Sequence, residues 1–436
     1  MKFNAVTLFL GLVLIFVLAA VAAAAPSSDP HARMNSLAES YVKLVLALGV
    51  HDADYVDAYS GPPEWKTAAD TAHLPLAAIR GQAGALMADL AALDVSAFND
   101  MDRLRHEYLS KQVRALEARV EMLEGHKFTF DEESALLFDA VAPVNPAEHF
   151  DKILAEMDRL LPGPGTLPER YQAFRRQFII PPDRLNAVFQ AAIAAARERT
   201  LKHIALPAEE SFTVEYVTGK PWGGYNWYKG NFHSVIQVNT DLPVFIDRAV
   251  DLAAHEGYPG HHVYNCLLEK NLLRGRGWIE FCVYALFSPQ SLIAEGSANY
   301  GIDVAFPGPE RIAFEREVLF PLAGLDQGKA AEYYRLLELT KELAFAGNEA
   351  ARRYLNGEIS AEEAAAWITR YTLADPARAR KQVSFMTRYR SYVINYNLGQ
   401  KMVHDYIEAR AQGDSGKRWA EFQALISSPR LPSGLK

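Results

Sequence analysis

Cysteine is nearly absent from the 436-residue sequence, which contains only Cys266 and Cys282. Their spacing matches no C-x-x-C metal motif, and it is consistent either with one disulfide or with two buried thiols. The G-x-S-x-G elbow of serine hydrolases, the P-loop and the dinucleotide-binding fingerprint are also missing from the sequence. Their absence argues against a serine hydrolase and against an enzyme built around a nucleotide.

The sequence has no block of lysine and arginine, and its formal net charge is −8. A nucleic-acid partner therefore has little electrostatic support. Half of the residues are hydrophobic and 22% are charged, which is typical of a folded chain with a large core.

Only one long apolar run occurs, from Ala5 to Ala25 after the basic Lys2, and it ends in alanines before a polar stretch. This pattern predicts a signal peptide at residues 1–25, cleaved near Ala23 or Ala24. The alternative is an uncleaved anchor, because about 20 apolar residues span a bilayer. Cleavage would give a periplasmic or secreted protein without stable membrane insertion.

Apolar residues recur at three- and four-residue spacing through most of the chain, so the predicted fold is mainly α. We expect two regions, an N-terminal helical region at 26–207 and a second region at 208–436. The second region begins with two predicted strands, 211–217 and 231–240, around a Gly- and aromatic-rich loop at 219–230. Helices are predicted at 33–49, 76–93, 100–124, 146–161, 182–204, 244–258, 261–273, 278–303, 325–356, 361–372 and 376–411.

The stretch H-E-G-Y-P-G-H-H at 255–262 resembles the zinc signature H-E-x-x-H, but its second histidine comes too late. On a regular helix His261 lies on the wrong face, and His262 lies on the right face but two turns away. A widened turn at Pro259-Gly260 would bring His261 back beside His255. Otherwise the helix simply ends there, and the histidines are exposed by chance.

A zinc site needs a third ligand, commonly a carboxylate from a later helix. Glu295, within an otherwise apolar helical stretch, is the candidate. Glu280 is a rival, although an acid facing solvent at a helix start explains it better. Asn299, one turn after Glu295, either orients a ligand or faces solvent.

The motifs H-E-G-Y-P-G-H and A-E-G-S-A-N-Y together resemble a widespread bacterial family of uncharacterised, mostly helical proteins with H-E-x-x-P-G-H and E-G-W-A. That family is grouped with the gluzincin metallopeptidases. Ser297 stands where the family commonly has Trp, and Tyr264 where Gln is common. Three further stretches carry the likeness over most of the chain: D-Y-V-D-A-Y-S-G-P-P-E-W at 54–65, V-N-T-D-L-P at 238–243, and Y-x-x-G at 396–399.

The resemblance implies a large helical zincin-like architecture with a small β-sheet next to the active-site helix. It implies zinc held by His255, His261 and Glu295, with Glu256 as general base. Tyr392 and Tyr396 share a helix face and are candidate oxyanion donors, and related peptidases favour Tyr396.

Tyr392 is also a candidate substrate contact. Arg390 or Arg388 could hold a substrate carboxylate. Asn239 closes the strand predicted at 231–240, which is expected to be an edge strand that pairs with extended peptide. Core packing explains Tyr392 slightly better, and a solvated surface explains Arg388 and Arg390 better. Trp222, Tyr225 and Trp227 either line a subsite or pack onto the sheet.

The expected function is a zinc-dependent hydrolase, in particular a metallopeptidase acting on peptides. Two alternatives remain open, an inactive zincin-like binding protein and a metal-dependent hydrolase of another amide or ester. The presence of Glu256 beside the ligands favours an enzyme, because a structural metal site needs no general base.

Overall fold

A computed structural model of the protein describes residues 29–220 and 222–435. The predicted fold class is confirmed, because helices make up most of the chain and the strands form only two small sheets. The predicted signal peptide at 1–25 lies outside the described residues. Within the described residues, no helix combines the length and apolar character needed to cross a membrane.

The first half of the described chain is almost entirely helical. Its elements are α1 (Pro30–Gly49), β1 (Val56–Tyr59), α2 (Pro63–Ala72), α3 (Leu76–Ala91), α4 (Asp100–Leu123), α5 (Phe130–Phe138), α6 (Ala147–Leu160), α7 (Leu167–Arg175) and α8 (Leu185–Leu201).

The second half contains three strands in succession, a broken helix that carries the histidine motif, and a long helical stretch. Its elements are β2 (Ser211–Val217), β3 (Gly224–Tyr228), β4 (His233–Asn239), α9 (Asp247–Leu252), α10 (His261–Leu268), β5 (Val283–Ala285), α11 (Pro289–Ala305), α12 (Gly308–Phe314), α13 (Phe320–Ala323), α14 (Ala330–Leu343), α15 (Ala346–Leu355), α16 (Ala361–Thr372), α17 (Pro376–Tyr389), α18 (Ile394–Ala411) and α19 (Ser415–Ile426).

The larger sheet has the order β2-β4-β3, with β2 and β4 parallel and β3 antiparallel to β4. The predicted strands at 211–217 and 231–240 are confirmed as β2 and β4. However, the expectation that the strand before the motif is an edge strand is wrong, because β4 lies in the middle. The predicted loop at 219–230 contains β3, which forms one edge and faces the motif helix.

A second, two-stranded sheet joins distant parts of the chain, because β1 pairs antiparallel with β5. The register shifts between Val56 and Ala58, so Asp57 is an extra residue opposite the continuous strand β5. Such a bulge changes the direction in which its side chain points. The sequence does not predict β1, because a strand this short carries little periodicity. The helix predicted at 278–303 is wrong over its first part, which contains β5, and α11 begins only at Pro289.

Two large hydrophobic cores both draw side chains from either side of residue 207. Glu280 belongs to this packing and does not face solvent as expected, because it is fully buried in a bidentate ion pair with Arg105 of α4 at 2.6 and 2.9 Å. Cys266 and Cys282 are both buried free thiols. The division of the chain at 207/208 remains a prediction.

Candidate metal centre

The motif helix widens and then turns back on itself. α9 ends at Leu252, and Ala253–Gly257 form a π-helical turn in which the Tyr258 N–H donates to the Ala253 carbonyl. The Gly260 N–H then donates to the Ala254 carbonyl at 2.9 Å, and α10 begins at His261. A Cβ on Gly260 would collide with the His255 carbonyl, so this return requires glycine. The predicted widened turn is confirmed.

The return of the chain places three ligand-type atoms in a small triangle. The Nε2 atoms of His255 and His261 are 3.1 Å apart, and they lie 3.3 and 3.7 Å from Oε2 of Glu295. A tetrahedral ion about 2.1 Å from its ligands separates them by roughly 3.4 Å. Oε2 of Glu295 is buried and has no hydrogen-bond partner. The residues therefore fit a bound metal ion, and among the described residues they form the only such cluster found.

Neighbouring side chains orient two of these groups. Asn299 lies one turn after Glu295 on α11, and its Oδ1 is 3.0 Å from Nδ1 of His255. The Asn299 Nδ2 donates to the Tyr396 carbonyl at 3.1 Å, which fixes Oδ1 as the acceptor. His255 therefore donates from Nδ1 and keeps the lone pair of Nε2 directed into the triangle. Tyr392 donates to Oε1 of Glu295 at 2.9 Å and leaves Oε2 available.

The charges in the triangle strongly shift the pKa values of His261 and Glu295. Burial alone would lower the pKa of His261, but the Glu295 carboxylate, helped by Glu256 and Asp57, raises it to about 9. Burial alone would raise the pKa of Glu295, but its contacts with His255 and His261 hold it well below the usual range. Glu295 is thus an anionic carboxylate beside two histidines, and without an ion His261 carries a proton. A bound metal ion would take the place of that proton, which leaves two imidazoles and one carboxylate, the donor set that a zinc site uses.

His262 has a different partner set from His261. Its Nε2 lies 3.0 Å from Oε2 of Glu210, and its Nδ1 lies 2.9 Å from the Ser234 hydroxyl. The ring projects from α10 towards β4 and is completely buried. The structure therefore brings His261 to His255 and Glu295, and it turns His262 into the core.

Glu256 follows His255 in the widened turn and is 4% exposed. Asn226 of β3 donates to its backbone carbonyl at 2.7 Å, so the edge strand holds this turn from the outside. A Cβ on Gly224 would lie 3.0 Å from the Glu256 carboxylate and 2.5 Å from Leu252. The absence of a side chain at Gly224 therefore provides the space that the Glu256 carboxylate occupies. This carboxylate lies at the wall of a cleft.

The cleft has a volume of about 650 Å³, within the usual range for small-ligand sites. The three ligand candidates, Glu256 and both predicted tyrosines lie on its walls. Tyr392 is buried, whereas Tyr396 is 37% exposed. The predicted aromatic residues of the β3 segment also line it, and they contact one another: Trp222, Tyr225 and Trp227.

Close packing of α11 against α18 brings the tyrosines to Glu295. A Cβ on Gly296 would lie 2.5 Å from the backbone of Gly399, so two glycines let the helices touch. These are the glycines of the E-G and Y-x-x-G stretches noted in the sequence. Tyr392 and Tyr396 precede Gly399 by two turns or less and consequently face the candidate metal centre.

Two predicted substrate contacts are not on the cleft wall. Asn239 is buried at the end of β4, where its Nδ2 donates to the carbonyls of Lys220 and Trp222. Arg390 has a φ of +54° and donates to the buried Glu133 at 2.6 Å. Both side chains hold the backbone in place, and neither faces the candidate metal centre. Arg388 pairs with Asp54 at 2.6 Å.

Asp57 is an acid of the cleft to which the sequence analysis assigns no role. Asp57, the bulge residue of β1, lines the cleft and accepts a hydrogen bond from the Tyr225 hydroxyl. Its only sequence signal was the D-Y-V-D-A-Y stretch, which carried a resemblance but no assigned role. The pairing of β1 with β5, which lies more than 200 residues further along the chain, carries Asp57 to the cleft.

Comparison with family models finds no match, and comparison with curated proteins finds none. Among solved structures, a "putative lipoprotein" from Colwellia psychrerythraea aligns with a TM-score of 0.52 at 15% identity, over 93% of this chain and 68% of that one. A "putative lipoprotein of unknown function" from Shewanella oneidensis gives 0.48 at 13%, over 93% and 76%. Trypanosoma cruzi metallocarboxypeptidase 1 gives 0.45 at 12%, over 91% and 92%. The likeness to the Colwellia protein is one of fold.

Proposed function

We propose that the protein is a secreted or periplasmic zinc-dependent hydrolase that cleaves peptides. The observation that carries the proposal is the triangle of His255, His261 and Glu295 with Glu256 beside it on a cleft wall. Two imidazoles and one carboxylate suit zinc better than magnesium or calcium, which prefer oxygen ligands alone. Three protein ligands are also the number that a catalytic zinc site uses.

Bound there, zinc would act as a Lewis acid that activates water and polarises a substrate carbonyl. Glu256 would accept the proton released by the attacking water and pass it to the leaving amine. Tyr396, which is partly exposed and lines the cleft, would donate a hydrogen bond from its hydroxyl group to the oxyanion. Tyr392 already donates to Glu295, so its role is to position that carboxylate and not to bind substrate.

β3, and not the strand before the motif, is the edge strand that could pair with a peptide substrate. It pairs with β4 along one side only among the described residues, and Gly224, Tyr225, Asn226 and Trp227 line the cleft. An extended peptide can add to such an edge through its backbone groups. This addition would carry its carbonyls past Glu256.

Metal analysis tests the first half of the proposal. Wild-type protein loaded with zinc and dialysed should retain about one ion per chain. His261→Ala and Glu295→Ala should lose it, while His404→Ala, which removes an exposed histidine of α18, should retain it. A zinc-free wild type, or zinc retained in both ligand variants, would contradict the assigned site.

Peptide hydrolysis tests the second half. The zinc-loaded wild type should cleave members of a mixed peptide library, and Glu256→Gln should bind zinc normally but lose at least about 10²-fold in kcat/KM. A zinc-loaded wild type that cleaves none of the peptides would leave the inactive binding protein as the better description. Equal activity in Glu256→Gln would remove Glu256 from the mechanism.

A further inference from the structure

The cleft is lined by several carboxylates that the proposed chemistry does not use, and Asp57 is the one with an unusual position. Asp57 lies on the β1 bulge, where the extra residue turns its side chain out of the strand ladder and into the cleft. Bulges are frequent beside active sites because they redirect a side chain in this way. Tyr225 of β3 donates to the carboxylate and holds it from the side of the sheet.

Asp57 differs from its neighbours because no cation in the described part of the chain lies within ion-pair distance of it. Glu295 and Glu256 already have proposed roles. Apart from these two and Asp57, each described acid of the cleft has a cationic partner within 4 Å. These pairs are Asp54 with Arg388, Asp251 with Arg248 and Arg311, and Asp303 with Lys341. Asp57 accepts a hydrogen bond from the neutral hydroxyl of Tyr225 and forms no ion pair with any described residue, so its carboxylate is available to a cationic ligand.

The surroundings of Asp57 suit a positively charged group. Burial disfavours its negative form, and a cationic ligand would offset that cost. Trp222, Tyr225 and Trp227 present aromatic surface in the same part of the cleft, and aromatic faces attract ammonium groups. Asp57 lines the same cleft as His261 and Glu256, so a group bound to Asp57 shares that cleft with the candidate metal centre.

We propose that Asp57, held by Tyr225, binds the α-ammonium group of the peptide substrate, so that the protein acts on peptides with a free N-terminus. This inference rests on the proposed hydrolase function and assigns its substrate class. Because Asp57 and the metal ligands share one cleft, the bond presented to Glu256 would be one near that N-terminus. Asp57 thus determines specificity and takes no part in the proton transfers.

Recognition of the other end of a peptide has weaker support. The cations of the cleft are Arg248, Arg311 and Lys341, and each already contacts a carboxylate. Arg248 also precedes His255 by seven residues on the motif helix, about two turns from the candidate metal centre. A substrate carboxylate would have to displace an existing ion pair, whereas an ammonium group finds Asp57 without one.

Binding measurements separate these possibilities without requiring turnover. The zinc-loaded Glu256→Gln protein is titrated by calorimetry with the peptide Ala-Phe-Ala-Ala, its N-acetylated form and its C-terminal amide. Acetylation should weaken binding at least about tenfold, the loss expected for a hydrogen bond between charged groups. C-terminal amidation should change it less than about twofold.

Introducing Asp57→Asn should make the free and acetylated peptides bind alike, because the amide keeps the contact with Tyr225 but loses the charge. Asp54→Asn is the matched control, since Asp54 also lines the cleft but pairs with Arg388, and it should preserve the preference. Zinc content and thermal unfolding show whether each variant is folded. The comparison of the three peptides on the Glu256→Gln protein tests the inference even if Asp57→Asn does not fold.

Equal affinity for the free and acetylated peptides, a loss on amidation alone, or zinc binding without peptide binding would each overturn the inference. A preference for the free amine that Asp57→Asn leaves intact would also overturn it. Failure of the hydrolase proposal looks different, because the wild type would then cleave nothing while the binding preference for a free amine persisted.

Discussion

The two ring nitrogens of His255 have different partners, and Asn299 decides which one is free. Because Asn299 accepts from Nδ1, Nε2 is left to face His261 and Glu295. Such supporting contacts typically account for about 10- to 100-fold in metal affinity. The same asparagine ties the Tyr396 backbone to α11, so Tyr396 and His255 share one support.

We expect Asn299→Ala to weaken zinc binding by about 10- to 100-fold, because His255 then loses its fixed tautomer and ring orientation. Competition with a chromophoric chelator measures the change. Asn265→Ala, which also removes an asparagine side chain from the cleft wall, should leave the affinity within about twofold of the wild type. Equal zinc affinity in Asn299→Ala and the wild type would show that Asn299 does not support the metal site.

Glu210 provides a pH-dependent contribution to stability. Burial alone would raise its pKa, but hydrogen bonds from His262, Tyr258 and Arg197 lower it from 4.5 to about 2. A lowered pKa means that the carboxylate stabilises the fold above pH 4.5 and that this stabilisation is lost as pH falls towards 2. Arg197 is half exposed, so the contribution is at most about 2 kcal/mol after screening.

We therefore expect Glu210→Gln to lower the free energy of unfolding at pH 7 and to differ less from the wild type at pH 3. Urea unfolding at the two pH values measures this. Glu209→Gln, on the neighbouring exposed side chain, should show no such change. A deficit of the same size at both pH values would mean that packing, and not ionisation, accounts for the effect of Glu210.

At the scale of the elements, the widened turn is the part of the site that sequence reasoning predicted best. Pro259 and Gly260 interrupt the helix directly after the first histidine, which is a local signal. By contrast, 376–411 was predicted as one helix, but the chain breaks at Arg390 because the buried Glu133 binds Arg390 and the Ser391 N–H and hydroxyl. That cause lies more than 250 residues away and has no local signature.

Short helices were missed for a different reason. α5 and α7 each have nine residues, too few for a convincing periodic pattern. Both nevertheless begin with a capping box, in which Thr129 pairs with Glu132 and Thr166 pairs with Glu169. A search for T-x-x-E would have found these starts from the sequence. β1 and β5 offer no comparable signal, and so Asp57 was not predicted to join the site.

Substitution Gly260→Ala should disrupt the widened turn, because the added methyl group would meet the His255 carbonyl. We expect loss of zinc binding and destabilisation by about 1–3 kcal/mol, as for other overpacked positions. Gly81→Ala is the matched control, since Gly81 lies within α3 with open space at its Cβ. That change should stabilise the protein by about 0.5–1 kcal/mol. Normal zinc binding in Gly260→Ala would show that the return of the chain tolerates a side chain.

At the scale of the whole molecule, α11 and α18 join the two hydrophobic cores. Leu292 and Leu398 pack in one core, while Tyr300 and Val403 of the same helices pack in the other. The candidate metal centre lies where these helices meet, with Glu295 on α11 and Tyr396 on α18. Unfolding of α11 and α18 would expose the apolar side chains of both cores at once. We therefore expect the chain to unfold as one unit.

The buried Arg105–Glu280 pair provides a test of that cooperativity. Arg105→Met leaves the Glu280 carboxylate buried without its partner, which should destabilise the protein by about 3–5 kcal/mol. In scanning calorimetry a single transition should move to lower temperature as a whole. Arg370→Met, which breaks an exposed pair with Asp151, should cost less than about 1 kcal/mol. Two transitions, of which only one moves in Arg105→Met, would mean that the cores unfold independently and that the predicted boundary near residue 207 separates real folding units.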